Sequence, residues 1–186
     1  MNIILETTRL RMRPFTMEDL NTCLKYAADP ENVAYMEWGP NGEKETVEYL
    51  ERKQQQYAAD PLTEYDFAIC LRDTGEHIGG GGLYLNADRN VAMAGWILQK
   101  DYWKKGFGTE FCAEMLRFGF DDLGLHRIYA TCNAENYGSY RVMERNAMRR
   151  EAHFRDVKFT RVGDERRWVD EYYYAILTDE WKNRKD

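Results

Sequence analysis

From Thr8 to Phe15 the chain reads TRLRMRPF, with polar and apolar positions alternating until Pro14. That is the pattern of a strand with one buried face. Thr16 follows, then MEDL, which places Asp19 three residues after a hydroxyl. A hydroxyl cap and an acidic first turn predict a helix to about Ala28, stopped by Asp29-Pro30. After a loop containing YMEWGPNG, Val47, Leu50, Gln54 and Tyr57 recur along one side of a second expected helix. The pattern then becomes strand-like. YDFAICLRDTGEHIGGGGLYL holds two apolar runs around Asp73-Thr74-Gly75, a hairpin turn, and NVAMAGWILQ reads as a third strand. From Gly108 the period changes again. Phe111, Met115 and Phe118 share a face with Cys112 and Leu116, while Glu110, Glu114 and Arg117 point away. A short strand RIYATCN, a helix from Asn136 to Asn146, and strands around Met148–Phe159 and Arg166–Thr178 complete the order. The expected succession is β-α-α-β-β-β-α-β-α-β-β, an α+β chain with one mixed sheet flanked by helices.

Composition narrows this picture. The 186 residues, 44% hydrophobic and 31% charged, contain no repeat, low-complexity segment or linker-like break, so one domain spanning 1–186 is expected. Thirteen tyrosines raise the aromatic share to 14% and suggest a well-filled core with a ligand cleft. A net charge of −6 argues against nucleic-acid binding; Arg9, Arg11, Arg13 and Arg149-Arg150 are small local exceptions. No apolar run is long enough to span a membrane, and the opening MNIILETTRLRMR lacks the features of a signal peptide. Cys23, Cys70, Cys112 and Cys132 form no CxxC pair, and His77, His126 and His153 are isolated. No metal site is expected, and four reduced thiols fit a cytoplasmic protein.

The segment KDYWKKGFGTEF carries the clearest chemistry. It joins a strand ending near Gln99 to a helix beginning near Gly108. The first N–H groups of that helix lack intrahelical partners and carry the positive end of its dipole. Gly106 and Gly108 let a ligand's phosphate approach the backbone, and Lys104 and Lys105 add two charges. A Walker loop would need Lys-Ser/Thr after its last glycine, and a dinucleotide fingerprint a third glycine where Phe111 stands. Neither fits. A diphosphate cradle and a solvated Lys-Lys turn both remain open.

The longer stretch GWILQKDYWKKGFGTEFCAEMLRFGFDDLGLHRIYATCNAENYGSYRVMERNAMRREAHFR resembles the core of the GNAT superfamily of acyl-CoA-dependent N-acetyltransferases. The RimJ/RimL branch, which acetylates ribosomal-protein N-termini, is the nearest match. ETTRLRMRPFTMEDL resembles that family's first strand and helix, YMEWGP its substrate-side loop, and WVDEYYYAILTDEW its last strand, so the likeness covers nearly the whole chain. It implies a central, largely antiparallel twisted sheet, with acetyl-CoA as co-substrate and no metal. Trp103, Lys104, Lys105, Gly106, Phe107 and Gly108, with Thr109 behind them, match the pyrophosphate loop, Trp103 standing in its Gln/Arg place. Ile97 and Leu98 fall where strand backbone pairs with the pantetheine arm; Asn133 and Asn136 fall in the segment closing on it. Acceptor contacts are implied for Trp38, Tyr84 and the Arg155–Arg167 turn.

An acetyl thioester is already activated, so the enzyme must position it, take a proton from the amine and stabilise an oxyanion. The resemblance implies N–H groups near Leu98 as oxyanion donors. The helix Tyr that protonates the departing thiolate in many members is replaced by Met143, and Ser139 matches the alternative Rim-type position. Ser139 either relays a proton to the sulfur or merely bonds to backbone in the first helical turn. The strand Glu of the family's Ala-Glu-Ile-Gly context is absent from Ala92-Met93-Ala94-Gly95. Asp170 is the leading candidate base, with Glu171 and Glu37 as others; each also reads as a solvated charge or an amine-binding anion. His77, after a hairpin turn, reads as ordinary surface. Ala147 occupies a family glycine position, which suits Ala if φ is negative. Gly79–Gly82 suggest a bulge, close substrate approach or packing.

Three functions follow. The first is acetyl transfer to a peptide or protein N-terminal amine by direct attack in a ternary complex. The second is acetylation of a small amine such as a polyamine, amino acid or antibiotic. The third is a non-catalytic acyl-CoA-binding module. A homodimer is left open.

Overall fold

An eight-stranded sheet organises the chain, in the order β1-β2-β3-β4-β5-β6-β8-β7. The computed structural model describes residues 3–162 and 165–184. The strands are β1 (Leu5–Glu6), β2 (Leu10–Arg13), β3 (Glu64–Leu71), β4 (His77–Leu85), β5 (Val91–Leu98), β6 (Arg127–Asn133), β7 (Arg149–Val162) and β8 (Glu165–Leu177). The helices are α1 (Leu20–Ala27), α2 (Glu43–Gln56), α3 (Phe107–Arg117), α4 (Tyr137–Arg145) and α5 (Thr178–Asn183). Every neighbouring pair is antiparallel except β5–β6. The mixed, largely antiparallel α+β architecture is the expected one.

The larger core joins the sheet to α3. Phe67, Leu83, Ile128 and Tyr174 cluster with Phe111, Met115 and Leu116, all essentially buried. A second, smaller core under α1 and α2 holds Phe15, Tyr26, Leu50, Ala68 and Cys70. All four cysteines are free and buried. No helix among the described residues is long and apolar enough to cross a membrane.

Several local expectations need correction. The N-terminal strand divides in two, β1 and β2, and the first helix opens with a 3-10 turn, Met17–Asp19, before α1. Asp19 does more than cap. Its carboxylate accepts the Thr16 N–H at 2.8 Å, both terminal nitrogens of Arg13 at 2.7 and 2.8 Å, and faces His77 Nδ1 at 3.0 Å. His77 is therefore not surface: it is 8% exposed, with Nε2 2.8 Å from the Gly79 carbonyl. The buried side of α2 is Thr46, Leu50 and Lys53, while Gln54 is exposed. Lys53 can face inward because its ammonium meets Asp66 at 2.8 Å. Glu114 is also largely buried, its charge taken by Arg117 at 2.7 Å. The last strand stops at Leu177, where Glu180 accepts the Leu177 N–H at 2.9 Å and starts α5; Trp181 then stacks on Phe120. Within the segment 155–167, expected as a turn, Gly163 and Asp164 lie outside the described residues.

Three of the four glycines of β4, Gly79, Gly81 and Gly82, are explained by close backbone approach, and Gly80 by the Phe15 ring packed 2.7 Å from where its Cβ would stand. A Cβ on Gly81 would stand 2.4 Å from the Gly95 carbonyl, and one on Gly82 1.9 Å from the Tyr65 carbonyl. A register shift at Ile69/Cys70 adds a bulge opposite Ile78.

Ala147 has φ +58°, so the negative φ that would suit an alanine in that position is not met. A left-handed non-glycine residue costs roughly 1–2 kcal/mol, partly offset by the greater unfolded-state entropy of glycine. Ala147→Gly is therefore expected to stabilise the chain by about 1 kcal/mol, read as a rise of roughly 2–4 °C in Tm. Asp19 gives a second test. Burial alone would raise its carboxyl, but the bonds from Arg13, His77 and Thr16 outweigh it and hold the group well below the usual carboxylate range. A depressed folded-state value stabilises fully above the unfolded value, near pH ~4, and is lost as pH falls below it. Asp19→Asn should lose about 3 kcal/mol at neutral pH and flatten the acid limb of the stability curve.

Candidate active site

β5 and β6 begin as a parallel pair but stay together for only three register positions, Val91↔Arg127, Ala92↔Ile128 and Met93↔Tyr129. Beyond them β6 keeps its full pairing with β8, and β5 its pairing with β4. The strands therefore part. Odd-numbered residues of β5 turn their backbone groups toward β4: the Gln99 N–H bonds Ile78 and the Val91 carbonyl accepts from Asn86. Alternation leaves the N–H groups of Trp96 and Leu98 facing the gap. This is free backbone beside an opening, able to pair with an extended amide-bearing ligand or to polarise a carbonyl.

A cleft of about 740 Å³ continues the gap under α1 and α2. It gathers Ile97, Asn133, Trp38, Tyr84 and Asp170, five expected site residues from five separate segments. Glu37 and Glu171 also line it. Lys158 forms a close ion pair with Glu37 and lies 3.5 Å from Glu171, linking the β7–β8 hairpin to the loop before α2. Six carboxylates and three cations line the cleft, so it favours a positively charged guest.

The segment after β5 is held as a cradle. Leu98 ends the strand with its carbonyl accepting from the Trp103 indole at 2.8 Å and from Asn32 at 3.0 Å; Asn32 in turn accepts the Lys100 N–H. Trp103 thus folds back on β5. Lys104 (φ +60°) and Gly106 (φ +83°) curl the chain into the N-terminus of α3, and Lys104 and Lys105 are exposed. Arg9 supports the curl from outside: it donates to the Lys105 carbonyl at 3.0 Å, pairs with Glu110 at 2.6 Å and lies 4.5 Å over the Phe107 ring. Gly108 has a packing role too, since a Cβ there would come within 3.3 Å of Val142. The first-turn N–H groups from Phe107 to Thr109 are those an anion would meet.

On the opposite wall, Asn133 accepts the Glu135 N–H at 2.8 Å, and Asn136 caps α4 by accepting the Ser139 N–H at 3.1 Å. Burial pushes the thiol of Cys132, a cleft residue, up to about 11, against the lowering influence of the Ser139 hydroxyl. Met143, which the family resemblance set in the place of a helix tyrosine, is buried in the α3 core and does not line the cleft. Asp170 is fully engaged: Oδ1 accepts the Asp156 N–H at 2.9 Å, and Oδ2 lies 2.6 Å from His153 Nε2. The Asp156 N–H and then His153 hold its carboxyl below the usual range, which keeps it an anion and weakens it as a proton acceptor.

One cluster was not anticipated. Asp66 lines the cleft while only 2% exposed. Its Oδ2 is met by Lys53 at 2.8 Å and the Tyr84 hydroxyl at 3.0 Å. Burial first, and then the Asp66 charge, push the Tyr84 phenol well above its ordinary value. An aspartate inside the apolar run YDFAICL was the available signal, since charges in buried strands occur only where something pairs them.

The overall fold is shared with known proteins. Residues 9–149 match the family described as an acetyltransferase (GNAT) domain, and the chain belongs to that family. It is similar to an uncharacterised N-acetyltransferase, YnaD, from Bacillus subtilis (strain 168): 35% identity over 175 residues, covering 94% of this chain and 97% of YnaD. A GNAT-family acetyltransferase structure from Bacillus anthracis superposes with a TM-score of 0.83 at 31% identity, covering 96% of this chain and all of that one. A spermidine N-acetyltransferase from Vibrio cholerae, solved with CoA and spermine, shares the fold: TM-score 0.80, 22% identity, 95% of this chain and all of that one. The chain is thus an N-acetyltransferase of the GNAT type.

Ser139 can be tested directly. If its hydroxyl serves the departing thiolate, Ser139→Ala should lower turnover about tenfold or more while leaving acetyl-CoA affinity within twofold. Unchanged kcat would reduce the residue to a structural place in the first turn of α4.

Proposed function

We propose that this protein moves the acetyl group of acetyl-CoA to a cationic primary amine by direct attack in a ternary complex. The observation that carries the proposal is the junction of three features: free β5 backbone, the Gly106 cradle and a carboxylate-rich cleft. In this reading the first-turn N–H groups of α3, with Lys104 and Lys105, hold the CoA diphosphate. Trp96 and Leu98 pair with the pantetheine arm, and a Leu98 or Trp96 N–H polarises the thioester carbonyl. Gly106, already left-handed and facing Arg9, leaves room for the phosphate that a larger side chain would take. The CoA-bound spermidine acetyltransferase of the same fold supports this co-substrate.

The Rim-type acceptor, a protein N-terminal α-amine, would enter amine first past Trp38 on the exposed rim. Asp170 would then serve as its anionic partner. A small polyamine-like acceptor is the second reading, favoured by the buried carboxylate of Asp66 at the cleft's inner end. A cytoplasmic location is part of this proposal, supported by four free cysteines that suit a reducing compartment.

Thermal unfolding with acetyl-CoA tests the co-substrate. At a hundredfold excess over Kd the native chain should gain about 2.7 kcal/mol, and Gly106→Asp should lose that gain. A panel of N-terminal peptides and small amines compared by kcat/KM then separates the acceptor classes. A shift without transfer to any amine would leave only a CoA-binding module, and no shift would remove the proposal.

A further inference from the structure

Asn32 is only 6% exposed, although it lies in the irregular segment between α1 and α2 rather than in a strand or helix. A side-chain amide is buried where both of its ends find partners. Here both partners are backbone groups at the end of β5. Nδ2 donates to the Leu98 carbonyl at 3.0 Å, and Oδ1 accepts the Lys100 N–H at 2.8 Å. Turning the amide over would set oxygen against oxygen and N–H against N–H, so the contact has one sense. The two bonds bracket Gln99 and fix the point where β5 becomes the cradle. The Leu98 carbonyl also takes the Trp103 indole at 2.8 Å. It belongs to a residue whose N–H faces the gap, so Asn32 and Trp103 meet at the gap's cradle end.

On its other side Asn32 continues into the cleft wall. Tyr35, Met36, Glu37, Trp38 and Asn41, a few residues further on, line the cleft. Their segment is held largely by local bonds. The Val33 N–H bonds the Asp29 carbonyl, the Met36 N–H bonds the Val33 carbonyl, and the Asn41 N–H bonds the Ala27 carbonyl at the end of α1. Lys100 adds ion pairs to Asp29 at 2.8 Å and Glu31 at 3.2 Å, but these are exposed and worth little in water. The Asn32 amide is shielded from water, and both of its bonds reach across to the strand that leads into the cradle.

We propose that Asn32 is a positioning residue that links the two halves of the site, so that order in the co-substrate cradle and order in segment 33–41 depend on each other. The inference rests on acetyl-CoA binding at the cradle. A ligand that pairs with Leu98 and fills the cradle restrains the backbone from Leu98 to Lys100. The two Asn32 bonds carry that restraint into segment 33–41, which sets the cleft wall before an acceptor enters. The coupling is reciprocal, so an ordered segment strengthens co-substrate binding by the same factor.

Amide hydrogen exchange with acetyl-CoA as the only added ligand tests this without any acceptor. In the native chain, saturating acetyl-CoA should slow exchange about fivefold or more in segment 33–41 as well as in 98–109. Asn32→Ala should keep the slowing at 98–109, lose it at 33–41 and bind acetyl-CoA about fivefold to tenfold more weakly. Asn32→Asp, which sets a carboxylate oxygen against the Leu98 carbonyl, should behave in the same way. Lys100→Met removes only the exposed ion pairs and should behave as the native chain does. A merely structural Asn32 would lower Tm and leave both the acetyl-CoA affinity and the slowing at 33–41 unchanged, which overturns the inference. No slowing at 33–41 in the native chain, with the acetyl-CoA rise in Tm intact, overturns it and leaves co-substrate binding standing. No rise in Tm and no slowing anywhere overturns both. Should Asn32→Ala fail to fold, the nearly isosteric Asn32→Asp is read in its place.

Discussion

The parting of β5 from β6 after three paired positions is the constraint on which the rest of the site depends. A parallel pair kept to its end would close the sheet and leave no backbone free. Here β6 commits its whole length to β8 and β5 its whole length to β4, so the gap falls between them. The cradle after β5 follows from the same event. Leu98 is the last strand residue, and its carbonyl is taken by Trp103 and Asn32, which turn the chain into the N-terminus of α3. Backbone donors along the gap and at the helix mouth thus become neighbours, suited to a long ligand with an anionic group at one end.

Glycine decides the surface of the cleft. Gly79, Gly81 and Gly82 of β4 exist because the neighbouring backbones come too near for a Cβ, and Gly80 because the Phe15 ring does. The same substitution removes the side chains that would otherwise cover that part of the sheet. Packing and cleft formation are two consequences of one sequence feature, so the alternatives left open for the glycine run need not compete.

Two aspartates show how differently buried charges can be met. Asp19 is met by Arg13, Thr16 and His77, and its environment favours the carboxylate strongly enough to outweigh burial. It ties β2, α1 and β4 together. Asp66 is as deeply placed, yet only one of its oxygens is answered. Since desolvation weighs on both, the difference lies in donors, and donors are supplied by whichever elements pack above the strand.

The sequence by itself determined the alternation and periods that specify most strands and helices, the Thr16–Asp19 cap, and the glycine-lysine turn at the mouth of α3. These are local: a cap, a hairpin turn or a helical face depends on residues within a few positions of one another. It also carried the family likeness, and with it Ile97, Leu98 and the loop from Trp103 to Thr109 as candidates for the co-substrate. Tertiary structure alone decided that His77 is buried, that Lys53 faces inward, that Ala147 is left-handed and that Arg9 braces the loop 96 residues away. It alone brought Trp38, Tyr84, Asn133 and Asp170 to one cleft and spent both oxygens of Asp170. A charged side chain's role depends on the partner across the sheet or above it, and that partner is fixed by strand order and helix packing rather than by neighbours in the chain.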